Sequence, residues 1–128
     1  MPLRHHPLVA WQRADDLFTK LRQLTLRSFP QFERYELGSQ PRKAAYSVPA
    51  NIAEGYGRRH WRQRAHFLNI GEASLAEVTY CIHAAHRLGY LGDAIVNTLN
   101  DEANRVGAPL VGLIRSIRKE KSTAGIDE

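Results

Sequence analysis

Apolar residues recur along this chain at steps of three and four, the period of one face of an α-helix. From about Leu8 to Phe29 the series is Trp11, Ala14, Leu17, Phe18, Leu21 and Leu24, with Gln12, Arg13, Asp15, Asp16, Lys20 and Arg22 between them. Pro7 suits a helix start, because a first-turn proline gives up no hydrogen bond. Pro30 ends the segment, since proline disfavours helical geometry in the residue before it. A second series runs over about 37–57 through Leu37, Pro41, Ala44, Ala45, Val48, Ile52 and Tyr56. Ser39 is its candidate N-cap. Pro49 interrupts the backbone bonding, yet Val48, Ile52 and Tyr56 stay in phase across it. The spacing predicts one helix kinked at Pro49 and closed by Gly55 or Gly57 in a left-handed cap. Two short helices broken near Ser47 are the alternative.

The third series is the strongest. Over 61–88 it places Phe67, Leu68, Gly71, Ser74, Leu75, Val78, Cys81, Ile82, Ala85 and Leu88 on one stripe. Small residues within it suit the close approach of a neighbouring helix. Gly89 closes the helix, and Tyr90-Leu91-Gly92 makes a tight turn. The fourth series begins at Asp93, a candidate N-cap, and runs over 93–118 through Val96, Leu99, Ala103, Val106, Leu110, Leu113, Ile114 and Ile117. Pro109 should kink or locally break it, and residues 119–128 read as a frayed tail. No strand pattern competes. Short connections favour antiparallel neighbours, so the expected fold is an all-α, antiparallel up-down-up-down four-helix bundle forming a single domain over residues 1–128.

Composition changes the picture only through charge and cysteine. A lone Cys81 excludes an internal disulfide and fits a reducing compartment. The N-terminal segment has no signal-peptide core, and no apolar run approaches the ~20 residues of a membrane span. The expectation is a cytoplasmic protein with no membrane partner. The net charge is +5 and 14 of the 18 basic residues are arginine. Guanidinium forks match phosphate and stack on bases. Arg58, Arg59, Arg62 and Arg64 crowd the junction of helices two and three, interleaved with His60 and Trp61. That mixture can grip phosphates and stack a base. Arg115, Arg118, Lys119 and Lys121 form a second cluster. The two clusters are expected at opposite ends of the bundle, making one surface only if subunits assemble or the tail folds back. RNA is the expected nucleic acid ahead of DNA. The alternative is a protein–protein adaptor or structural oligomer whose arginines only solvate the surface.

Catalytic patterns are missing. No Glu has a His three residues on, as a di-iron bundle requires. His83 and His86 share a helical face, but no acidic or cysteine partner sits in register with both. Ser39, Ser47 and Ser74 lack a nucleophile elbow. Gly55-Tyr56-Gly57-Arg58 resembles part of a phosphate loop but follows a helix, so helix termination accounts for it better. Glu54 and Glu77 are a conceivable acid–base pair. A partly buried ion pair, with Arg42 or Arg58 as partner, fixing helix register, explains both carboxylates more simply. The expectation is no enzyme, no cofactor, no metal and no evident small-molecule substrate.

The octet Asn51-Ile52-Ala53-Glu54-Gly55-Tyr56-Gly57-Arg58 resembles a bacterial four-helix-bundle family encoded by intervening sequences in ribosomal RNA genes. More distant relatives are accessory proteins of diversity-generating retroelements. Trp11-Gln12-Arg13-Ala14, Phe29-Pro30 through Tyr35, Arg42-Lys43-Ala44-Ala45 with Val48-Pro49, Ala73-Ser74-Leu75-Ala76-Glu77 and Arg87-Leu88-Gly89-Tyr90-Leu91 extend the resemblance over roughly residues 8–118. It implies a non-enzymatic bundle that forms pentameric homo-oligomeric rings, and, from the retroelement relatives, RNA and reverse-transcriptase binding through a basic surface. Asn51, Glu54, Gly55, Gly57 and Glu77 are its structural motif residues. Pro41, Pro109 and His60-Trp61 depart from the pattern. They put the start of helix two, the continuity of helix four and the junction's conformation in question.

Overall fold

A computed structural model of the protein describes His5 and residues 8–127, with side chains described as far as residue 120. Pro7, expected at a helix start, lies outside the described residues. Four helices follow in order: α1 Val9–Ser28, α2 Ser39–Gly57, α3 Trp61–Arg87 and α4 Asp93–Asp127, with a short 3-10 turn at Gln31–Glu33 between the first two. Each buries most of the stripe its periodicity marks, although Leu88, expected on the third, is exposed. In α1 the buried residues are Ala10, Ala14, Leu17, Leu21 and Thr25. In α3 they run from Leu68 through Gly71, Ser74, Leu75, Val78, Cys81 and Ile82 to Ala85. Val96, Leu99, Ala103, Val106, Leu110, Ile114 and Ile117 complete the core from α4. No described helix is long and apolar enough to cross a membrane.

The helices touch in a closed ring, α1 to α2 to α3 to α4 and back to α1. Each adjacent pair runs in opposite directions, because ascending residues on one meet descending residues on the next. Phe18 meets Tyr46 and Thr25 meets Arg42. Asn51 lies by Gly71, and Ser47 bonds Ser74. Lys20 pairs with Glu102, while Arg13 reaches Arg105. His86 binds Asp93 at 2.6 Å at one end of the α3–α4 pair, and Arg64 binds Glu120 at 2.7 Å at the other.

The ends of the helices correct several expectations. Gly89 alone among the described residues has positive φ, at 79°. It closes α3 with the Tyr90 N–H donating to the Ala85 carbonyl and its own N–H donating to His86, which satisfies the last carbonyls of the helix. Gly55 and Gly57 are not left-handed caps. Both lie inside α2, whose chain turns extended at Arg58 with φ −79° and ψ 152°. Ser39 is not the N-cap of α2 either. Gly38 holds that position, and the Ser39 hydroxyl donates backwards to the Glu36 carbonyl. Pro41 falls in the first turn of α2, where its missing N–H has no helical partner to lose.

Neither interior proline breaks its helix: α2 passes through Pro49 and α4 through Pro109 as continuous segments. At Pro109 the reason is visible. A proline here cannot donate to the carbonyl four residues back, which belongs to Arg105. The Arg13 guanidinium, crossing from α1, donates to that carbonyl at 2.9 Å. α4 also outlasts its apolar stripe, continuing from Arg118 to Asp127 where a frayed tail is expected.

Opposite the α2–α3 junction, the α1–α2 connection is pinned. The Tyr90 hydroxyl donates to Glu33 Oε2 at 2.8 Å, and its ring lies 5.3 Å from Phe29. The hydrogen bond to Glu33, with burial adding to it, pushes the Tyr90 phenol above its usual value.

Candidate nucleic-acid interface

The chain leaves α2 in extended conformation at Arg58 and re-enters a helix at Trp61. His60 caps that helix. The Arg62 backbone N–H donates to His60 Nδ1 at 3.1 Å, so a ring nitrogen does the work that a small polar cap usually does. His60 also stacks beside Trp61, with centroids 5.7 Å apart and planes 29° from parallel.

The four junction arginines divide into two pairs. Arg64 is a structural clamp. Its Nε donates to the Arg58 carbonyl at 2.7 Å, and its Nη1 pairs with Glu120 at 2.7 Å; its side chain is 19% exposed. Arg58 is held by Glu54 one turn back and lies over the Phe67 ring, 5.1 Å from its centroid. Arg59 and Arg62 are the exposed members. Trp61 is not a free stacking platform. It is half-buried and packed against the core, with His60 on it and the Arg62 guanidinium 5.3 Å from its centroid.

The Arg64–Glu120 pair overturns the expected separation of the basic clusters. Because neighbouring helices alternate in direction, the α2–α3 junction and the end of α4 lie at the same end of the bundle. Arg115, Arg118 and Lys119 are exposed on that stretch of α4. The side chain of Lys121 lies outside the described residues. One pole therefore carries Arg59, Arg62, Arg115, Arg118 and Lys119 without any subunit assembly or refolded tail. Glu120, the residue that ties the two clusters together, escapes sequence reading because it falls in the expected tail. Its signal is faint but present: it follows Leu113 and Ile117 at helical spacing.

The motif residues serve helix packing. Asn51 Nδ2 donates to the Ser47 carbonyl at 2.7 Å and to its hydroxyl at 2.9 Å, and Ser47 and Ser74 share a 2.7 Å hydrogen bond across α2 and α3. Gly55 is buried against Arg64, Phe67 and Leu68 of α3. Gly57 faces open space. Glu54 is exposed and paired with Arg58, rather than partly buried. Glu77 is exposed on α3 one turn before Cys81, whose thiol is pushed up chiefly by burial and secondarily by that carboxylate. Among the described residues no cluster of His, Cys, Asp or Glu is placed to hold a metal. His86 of the candidate pair is instead bonded to Asp93.

A family model described as 23S rRNA-intervening sequence protein matches residues 6–112. The matched segment includes the α2–α3 junction and ends before Arg115. No curated protein matches the chain. Among solved structures, a protein with unknown function from the S23 ribosomal protein family of Bacteroides thetaiotaomicron superposes with a TM-score of 0.78 at 17% identity. The match covers 84% of this chain and 96% of that one. At that identity the likeness speaks for the four-helix fold.

Proposed function

The chain belongs to the 23S rRNA-intervening sequence protein family, and on that premise we propose that it is a non-enzymatic, self-assembling bundle that binds RNA through its arginine-bearing pole. The observation that carries this reading is the Arg64–Glu120 contact. It holds the α2–α3 junction against the last turns of α4, so cations from two distant parts of the sequence share one end. Arg58 and Arg64 are engaged internally and give the pole its shape. The side chains of Arg59, Arg62, Arg115 and Arg118 are exposed to solvent, Arg118 while keeping a contact of its own. Phosphate contacts from such side chains release counterions and carry little sequence information. With Trp61 packed down, aromatic stacking falls to the outer face of His60. A protein that works in the cytoplasm as a ribonucleoprotein component is the corresponding role.

Binding of a mixed-sequence single-stranded RNA, measured by fluorescence anisotropy across a salt series, tests the reading. Changing Arg59, Arg62, Arg115 and Arg118 together to Ala should weaken binding and flatten the logarithmic salt slope by up to about 3, at ~0.7 per lost contact. Arg64→Ala should reveal itself in stability first. Unchanged affinity and slope in the fourfold variant would remove this pole as the site. An adaptor that binds no nucleic acid predicts no binding even in the parent at ~150 mM salt, where the Debye length is about 8 Å.

A further inference from the structure

α1 and α4 are the one adjacent pair that no connection joins, and a groove of about 340 Å³ opens along their seam. Its floor is apolar: Leu99 is fully buried there, Leu24 is half-buried, and Ile95 remains 39% exposed. Thr98 adds a hydroxyl along the wall, already donating to the Ala94 carbonyl. Two cations border the groove, and they differ. Lys20 is held by Glu102 on the α4 side. Arg27, in the last turn of α1, is exposed and makes no hydrogen bond or ion pair with the described residues.

We propose that this groove binds a small apolar carboxylate, with its hydrocarbon body on Leu24 and Ile95, which Leu99 backs from the core, and its head group on Arg27. Charge selects the head group, because the unpaired cation bordering the apolar floor is a guanidinium, which matches a carboxylate in bidentate fashion. Length selects a small molecule over a partner helix. The apolar stretch spans only Lys20 to Arg27 on α1, about two helical turns. Further along the seam the lining becomes Arg13, Asp16, Glu102 and Arg105, charged side chains on which a helix's apolar face would gain nothing. The volume is at the lower end of the range for small-molecule sites. This site is separate from the arginine pole and stands or falls independently of RNA binding.

Decanoate below its micellar concentration, with decan-1-ol as the uncharged control, provides the test on the full chain. Titration followed by two-dimensional amide NMR should show saturation with one decanoate per chain and shifts centred on Leu24, Arg27, Ile95 and Thr98. Decan-1-ol should bind at least tenfold more weakly. Arg27→Glu should lower decanoate affinity about tenfold and leave decan-1-ol unaffected, a split that loss of folding would not produce. Ile95→Ala should weaken both probes alike. Equal affinity for the two probes, shifts centred elsewhere, or no saturation overturns the proposal. So does a groove already covered by a second copy of the chain, recognised by concentration-dependent shifts at the same residues without decanoate binding.

Discussion

Gly55 and Gly57 stand two residues apart in α2 and have opposite surroundings. A Cβ on Gly55 would sit 3.1 Å from Phe67 Cβ and 3.2 Å from the Arg64 carbonyl oxygen, both on α3. A Cβ on Gly57 would meet nothing within 4 Å. Alanine gains about 1 kcal/mol of helix propensity over glycine at an unhindered position. At Gly55 that gain is opposed by overpacking, which costs typically ~1–3 kcal/mol, and the obstructing atoms are backbone and Cβ that cannot swing aside. Gly55→Ala should therefore lower the urea midpoint, while Gly57→Ala should hold or raise it. A Gly55→Ala protein as stable as the parent would mean that α2 and α3 can separate without loss. The distinction was available in the sequence, because Val48, Ile52 and Gly55 continue one stripe and Gly57 leaves it. A left-handed cap at Gly55 or Gly57, the expectation from glycine alone, overlooks it. Trp61 was less legible. Alternating rings and arginines specify which groups are near one another, but not that the indole turns inward against the core while His60 and Arg62 lie against it.

At the scale of the element, α4 is where local rules and tertiary structure part. Proline inside a helix costs a hydrogen bond, and an unpaired carbonyl adds to that cost. The break anticipated at Pro109 does not occur, and Arg13 supplies the missing donor to Arg105 from α1, 92 residues away in sequence. No inspection of the fourth segment alone could find that bond. If Arg13 is there for Pro109, the two positions must be coupled. Arg13→Ala should cost about 0.5–1.5 kcal/mol with Pro109 present. It should cost less in a Pro109→Ala background, where an alanine N–H can serve the Arg105 carbonyl. A double-mutant cycle by chemical denaturation measures the difference. Additive effects would show that the Arg105 carbonyl is satisfied without Arg13. The first three helices were legible almost to the residue, because their apolar stripes and their bounds coincide. The end of α4 was not. Helix continues past Ile117 on backbone bonding and the Arg64–Glu120 tie, neither of which appears as apolar periodicity.

The whole molecule presents two dissimilar poles. One carries the exposed arginines. The other carries the α1–α2 connection, where Phe32 is 74% and Tyr35 78% exposed. Single exposed apolar side chains are ordinary, but these two come from a connection fixed on every side. Glu33 takes the Tyr90 hydroxyl on its side chain and the Gly38 N–H on its backbone. Arg42 lies 5.9 Å from the Tyr35 ring while donating to the buried Thr25 hydroxyl. A backbone held this way loses little entropy when the rings it carries are covered, which is the economy expected of an interface anchor. Tyr80, 68% exposed on α3, adds apolar surface on the flank. Self-association is the reading these rings favour, and the pentameric ring that the family resemblance implies is its specific form. Light scattering at micromolar concentration should then return a multiple of the 14.5 kDa chain mass. Phe32→Ser with Tyr35→Ser should shift that mass downward while circular dichroism stays helical, since neither ring belongs to the core. Gathering copies also gathers arginine poles. A long RNA that touches several poles gains effective concentration, whereas a short oligonucleotide confined to one does not. The double variant should therefore weaken binding of a long RNA far more than that of a short one. A parent that scatters as a monomer, or a double variant with unchanged mass, would mean that Phe32 and Tyr35 do not hold copies together.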